Sequence, residues 1–374
     1  MGDVLSARLR AAAASFLFLA GSFFSPSGSA LTAAPPGVRA MWVWGYPSAD
    51  EVIPFAQAHG VSTLFVTVAP TVATDGDLPR LQRFKLLADA ANIRLLALGG
   101  DPNWTTDHAS ALAWQRAALG TGLFAGSHVD VEPYSLPAWS TDQAGTASNY
   151  LALLSNLQAD SPLPLEADVP FWYGTIAASG YASLADAVLA RVDEVSVMSY
   201  RDTGTGTNSI FAVGADWLQR GASAGKPVRL GAETNALSDC PTCTFYGQGE
   251  AALANALSLV DGAAAAYPDY AGISVEDYYG WLALAGAPAP ASLPAPTVTL
   301  TASRTSVGLG GHVWLAWSSQ NAVSCQASGA WSGARALSGA YRYTALRLGA
   351  TTFTLSCVNS ASVPTTKSVS VTVP

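Results

Sequence analysis

Gly126-Ser127-His128-Val129-Asp130-Val131-Glu132-Pro133-Tyr134 is a short apolar strand pattern that ends in two carboxylates and a proline. Strand side chains alternate between faces, so His128, Asp130 and Glu132 share one side while Val129 and Val131 share the other. An inward row of acids costs too much desolvation to be a packing choice alone. The row marks a candidate site, and the runs on either side of it set the fold.

From Arg39 onward, short β-rich apolar runs alternate with Ala/Leu-rich helical stretches. The runs fall at residues 40–44, 63–68, 93–98, 126–131, 164–169, 194–199, 228–232 and 272–275. Helical patterns occupy 50–59, 77–91, 109–119, 147–159, 183–192, 215–224 and 249–266 between them. Eight β-then-α units predict a (β/α)8 TIM barrel over residues 37–284. The alternative is a doubly wound open sheet, which usually carries a Gly-rich phosphate loop after its first strand; here that position reads Trp44-Gly45-Tyr46-Pro47.

After Trp281 the text becomes Pro/Ala-rich, and residues 285–296 read as a semi-rigid spacer. From 297 to 374 the runs alternate strictly and helix signals are absent, which predicts an all-β immunoglobulin-like sandwich with Trp317 in its core. Cys325 and Cys357 lie on two of its strand-like runs and are expected to bridge. Cys240-Pro241-Thr242-Cys243 reads as a loop staple, with redox or metal chemistry as the alternative.

The first thirty residues have the layout of a removable signal peptide: Arg8 and Arg10, an apolar run from Ala11 to Phe24, then small residues to Ala30. An uncleaved anchor is the competing reading, although the run is short for a bilayer. The expected compartment is extracellular or periplasmic. The chain has 374 residues, half of them hydrophobic and 12% charged, with net charge -8. That composition fits a globular protein and argues against nucleic-acid or anionic-membrane partners, and it makes a neutral or cationic substrate easier to accommodate than a polyanion. A monomer without cofactor or metal is expected.

Active sites of such barrels lie at the C-terminal strand ends. Those ends supply Trp42, Trp44, Asp101, Trp104, Asp130, Glu132, Asp168, Trp172, Tyr200, Asp202, Glu233, Asn235, Glu276, Asp277 and Trp281. Aromatic faces stack on sugar rings, and carboxylates bind hydroxyls and perform acid–base work. Plainer readings compete: Trp42 and Trp44 as barrel filling, Asp202 as an ion pair with Arg201, Asp277 as a helix cap, His128 as a core histidine.

Asp130-Val131-Glu132 together with Met198-Ser199-Tyr200 resembles the chitinase-like glycoside hydrolases of family 18. That resemblance implies Glu132 as general acid, with Asp130 and Tyr200 positioning a substrate acetamido nucleophile. Ala125 and His128 stand where the family motif has further aspartates, and Arg201 separates Tyr200 from Asp202. Glu132-Pro133, with Glu233 ending the run from Val228, is similar to the clan of retaining glycosidases with glutamates on strands four and seven. That similarity implies Glu132 as acid/base and Glu233 as nucleophile, with Val131 replacing the clan's usual Asn. The C-terminal text Trp317-Ser318-Ser319-Gln320-Asn321-Ala322 resembles small Ig-like modules of bacterial secreted enzymes.

The reading that unites these features is a secreted glycoside hydrolase acting on a polysaccharide or glycan with retention. A charged Asp130 would raise the Glu132 carboxyl by repulsion and keep it protonated. The rivals are a non-catalytic carbohydrate-binding barrel and a metal-assisted hydrolase or deacetylase built on His128, Asp130 and another carboxylate. Trp331, Tyr341 and Tyr343 are either a second sugar-binding patch or ordinary sandwich side chains.

Overall fold

The computed structural model describes residues 31–286, 295–359 and 364–374. The expected leader at 1–30 and most of the expected spacer lie outside the described residues. Eight parallel strands close in chain order: β1 (Arg39–Val43), β2 (Val61–Thr67), β3 (Arg94–Gly99), β4 (Ser127–Val129), β5 (Leu165–Pro170), β6 (Glu194–Met198), β7 (Val228–Glu233) and β8 (Tyr270–Glu276). β8 pairs back onto β1. Every expected barrel strand is present, and the barrel removes the open edge that a doubly wound sheet would keep.

The helices are α1 (Ala49–Ala58), α2 (Leu78–Ala90), α3 (His108–Leu119), α4 (Pro137–Thr141), α5 (Gln143–Asp160), α6 (Leu184–Leu189), α7 (Ile210–Ala224), α8 (Glu250–Ala264) and α9 (Tyr278–Leu284). Several begin where a side chain accepts a first-turn N–H: Ser48 from Asp50, Ser209 from Ala212, Asp277 from Gly280. Their apolar stripes and the outward residues of the strands form one large core, while Ala40, Trp42, Phe65, Leu96 and Leu98 fill the barrel interior.

β4 is shorter than expected. After Val129 one ladder bond continues, from Asp130 N to Gly99 O at 3.0 Å, and Glu132 then precedes a 3-10 turn at Pro133–Ser135. Glu132 therefore stands on the loop just beyond the strand rather than at its last rung. Gly100 permits this approach, since a Cβ there would lie 1.9 Å from Asp130 O.

The end of the barrel where the strands begin is closed by an ionic floor. Glu166 accepts Arg94 Nη1 at 2.6 Å and Arg229 Nη1 at 2.9 Å, and Arg229 Nη1 also lies 2.5 Å from Glu194. Above it Ser196 and Ser274 hydrogen-bond across the interior at 2.9 Å.

The C-terminal region is a sandwich of two antiparallel sheets. β9 (Thr297–Ala302), β10 (His312–Gln320) and β13 (Ser338–Thr344) form one. β11 (Ser324–Gly329), β12 (Gly333–Arg335), β14 (Gly349–Val358) and β15 (Pro364–Val373) form the other. Trp317 and the Cys325–Cys357 bridge share its core. The two cysteines are register partners on β11 and β14, so the bridge clips neighbouring strands of one sheet instead of joining the sheets. Trp331 is buried among the core residues, with the Arg335 guanidinium 4.9 Å from its ring centre and the exposed Tyr341 ring 5.6 Å away. Among the described residues no helix is long and apolar enough to cross a membrane.

Candidate active site

Asp168, on β5, is the fixed point of the C-terminal face. It accepts Trp42 Nε1 at 2.9 Å and His128 Nε2 at 2.8 Å. The His128 ring stacks on Phe65 with centroids 3.6 Å apart, and its Nδ1 lies 3.5 Å from Glu166 Oε2 on the floor. Burial alone would lower the imidazole, but the charges of Asp168 and Glu166 outweigh it and raise it to about 9. His128 is thus a buried imidazolium that binds two carboxylates, the core-histidine role anticipated for it.

Asp130 lies one turn of the alternation farther out, and its Oδ1 is buried without a hydrogen-bond partner. Desolvation, then the charges of Asp168 and Glu132, push its carboxyl well above the usual range despite His128. The expectation made Asp130 the charged member of the pair; here its carboxyl is enclosed and crowded, because it faces Asp168. Glu132 instead receives a hydrogen bond from the Tyr134 hydroxyl. Tyr134 is held by edge contacts to Trp172 at 5.3 Å and Tyr173 at 6.4 Å.

The β7 and β8 ends supply the other acids. Glu233 Oε1 accepts Thr234 N at 2.7 Å, Asn235 N at 2.6 Å and Asn235 Nδ2 at 3.1 Å. Burial still raises its carboxyl to about 7, against those three donors and with Asp277 adding to the rise. Glu276 accepts Trp44 Nε1 at 2.6 Å and is pushed well above its usual value by burial, then by Asp277, Glu233, Asp130 and Asp168. Tyr200 stands among them. Enclosure first, then Glu276, Glu233, Asp168 and Asp130, raise its phenol, which therefore remains a neutral donor. Gly231 makes room for it: a Cβ there would lie 2.9 Å from the Tyr200 ring.

Beside this group opens a cavity of about 270 Å³, lined by Glu132, Tyr134, Trp172, Tyr200, Arg201 and the Cys240–Cys243 loop, among others. The two cysteines are bridged, as expected of a loop staple. A larger cavity of about 460 Å³ lies between α5 and the 177–191 segment, but its lining of Ala and Ser side chains with Arg191 offers no acid–base pair.

Several expected site residues have other partners. Asp101 caps the short turn after β3, accepting Asn103 N at 2.8 Å and Asn103 Nδ2 at 2.9 Å. Trp104 packs against Trp114 at 5.2 Å and, with Trp44, lines a separate cavity of about 270 Å³. Trp281, on α9, is buried against Phe55 and His59. Asp202 accepts Gln248 Nε2 at 3.2 Å and does not pair with Arg201. Asp277 is the helix cap that the plainer reading proposed. Tyr134 and Arg201 join the site without having been singled out for it. Alternation could not place Tyr134, because the strand ends at Val129 and the chain turns at Pro133–Ser135; only its nearness to Glu132 in the sequence pointed to it.

Among the described residues, no group of three or more His, Cys, Asp or Glu side chains is arranged to hold a metal ion. No family model and no curated protein matches the sequence. Among solved structures, the chain is similar to a modular endo-β-1,4-mannanase of glycoside hydrolase family 26 from Cellulomonas fimi, at 11% identity over 91% of this chain and 94% of that one, with a TM-score of 0.42. It is also similar to a chitinase from Chromobacterium violaceum, at 14% identity over 66% and 98%, TM-score 0.43. A third is the family 18 chitinase of Cycas revoluta in complex with (GlcNAc)3, at 19% identity over 52% and 68%, TM-score 0.38. Similarity of this depth assigns no residue a role.

Proposed function

We propose that the barrel is a retaining glycoside hydrolase of a polysaccharide or glycan, with Glu132 as general acid/base, exported from the cell and working as a monomer. The observation that carries the reading is a carboxyl group, Glu132, held by a tyrosine hydroxyl on the wall of an aromatic cavity at the C-terminal strand ends. Trp172 on that cavity and Trp44 beside it are the candidates to stack on sugar rings, with Asp168, Asn235 and Glu276 the candidates to bind their hydroxyls. Export is supported by the leader pattern and by the two disulfides.

In this reading Glu132 protonates the departing glycosidic oxygen as Glu233 attacks the anomeric carbon. Glu132 then takes a proton from the water that releases the glycosyl-enzyme. The three N–H groups on Glu233 Oε1 favour that role, since they fix its direction. Attack requires the ionised form, so kcat/KM should rise with pH through about 7. The substrate-assisted route is favoured by a different observation. Asp130, pushed toward its neutral form beside Tyr200, has an oxygen free to engage an acetamido group.

The test is a polysaccharide panel with wild type, Glu132→Gln and Glu233→Gln. Glu132→Gln should lower turnover by about 10² to 10⁴-fold and keep binding. Azide should rescue a further variant, Glu233→Gly, whose missing side chain leaves room for it, with inverted product if Glu233 is the nucleophile; if the substrate attacks, only acetamido sugars are cleaved and Asp130→Asn is the severe variant. Binding without turnover by wild type would leave a lectin-like barrel, and activity abolished by EDTA would move the chemistry to a metal.

A further inference from the structure

Arg201 is held in place on the wall that it shares with Glu132. Its Nε donates to Asn208 Oδ1 at 2.8 Å, and its Nη1 to Tyr200 O at 2.6 Å and, weakly, to Cys243 Sγ at 3.6 Å. Its guanidinium carbon lies 4.9 Å from the centre of the Phe171 ring. Among the described residues, nothing in the protein takes a hydrogen bond from Nη2, and no carboxylate lies within ion-pair distance.

Arg304, Arg335, Arg342 and Arg347 of the sandwich also lack an ion pair among the described residues, but within the described barrel seven of nine arginines have one, Arg83 and Arg116 among them. The others are Arg39, Arg80, Arg94, Arg220 and Arg229. Asp202, next to Arg201 in sequence, accepts Gln248 instead. Arg191 also lacks an acid, but it borders the cavity beside α5, away from Glu132. A guanidinium immobilised on three sides, with its remaining amino edge free, has already lost the rotamer entropy that binding would otherwise cost.

Resting on the glycosidase reading, we propose that Arg201 selects a substrate bearing an anionic oxygen group, a uronate carboxylate or a sulfate ester, on a sugar beside the scissile bond. The ligand supplies the charge partner that the chain withholds. Desolvation and crowding favour the neutral forms of Asp130 and Glu276, and the charge of Glu233 is engaged by three N–H donors, so these acids oppose an anionic ligand less than their number suggests. The acidic net charge, which favours neutral or cationic substrates at long range, is here overridden by one fixed local cation.

The experiment compares wild type, Arg201→Gln and Arg201→Lys on matched polymers: polyuronates against their carboxyl-reduced forms, and sulfated galactans against their desulfated forms. Wild type should prefer one anionic member by about tenfold or more in kcat/KM, mainly through KM and less so in high salt. Arg201→Gln should bring that ratio toward one, with Arg201→Lys between. The arm that shows the preference distinguishes carboxylate from sulfate. Equal rates on both members of each pair, a preference for cationic amino-polysaccharides, or an undiminished ratio in Arg201→Gln overturns the inference while leaving the glycosidase reading intact. Cleavage of no polymer by wild type removes both.

Discussion

His128 connects the two charged regions of the barrel, and its protonation carries a testable cost. Its folded value is about 9 against 6.5 for the free side chain, so its stabilising contribution is complete below about pH 6.5 and is lost as pH rises through 9. The shift corresponds to at most about 3 kcal/mol. Urea unfolding of wild type should therefore show stability falling between pH 6.5 and 9, with a flatter slope for His128→Gln. Parallel slopes would mean that the histidine is neutral in the folded state. The raised carboxyls contribute in another window: groups with elevated folded values cost stability as pH rises from the free carboxyl range to about 7, where Glu233 titrates.

At the scale of elements, the segment after β7 ties chemistry to cavity shape. Phe245 N donates to Glu233 O at 2.9 Å, and Thr244 Oγ1 to Asn235 O at 2.6 Å, so the strand end is anchored without the disulfide. The Cys240–Cys243 bridge closes only a short loop and forms the wall on which Arg201 rests. Cys240→Ser/Cys243→Ser should raise KM severalfold, with kcat and melting temperature nearly unchanged; a collapse of kcat would instead assign the bridge to holding Glu233. The barrel elements were readable because buried parallel strands leave dense apolar runs between helical patterns. The side of a residue beyond a strand end was not readable. Trp281 follows the strand that places Glu276, but once the two-residue alternation stops, parity no longer tells cavity from core, and its indole packs against Phe55 and His59. The pairing of Cys325 with Cys357 followed from their strand patterns, yet strand order within the sandwich did not. The sequence patterns therefore left open that the bridge joins neighbours in one sheet. The ionic floor was missed because Arg94, Glu166, Glu194 and Arg229 are far apart along the chain and converge only when the barrel closes.

The whole molecule has separate apolar cores for barrel and sandwich. Separate cores predict two calorimetric transitions rather than one. Cys325→Ala/Cys357→Ala should destabilise the sandwich transition alone, by about 2–4 kcal/mol, because the bridge closes a loop with a sequence separation of 32. Movement of both transitions together would show that the two parts unfold as one unit.

The ionic floor makes the far end of the barrel part of its working end. His128 lies between Glu166 below and Asp168 above, so a charge deleted at Arg94 or Arg229 is transmitted upward through the imidazolium to the acids at the mouth. The acidity of the mouth should therefore be adjustable from the opposite end of the barrel: a designer could retune it through the base of the column without changing any residue at the strand ends.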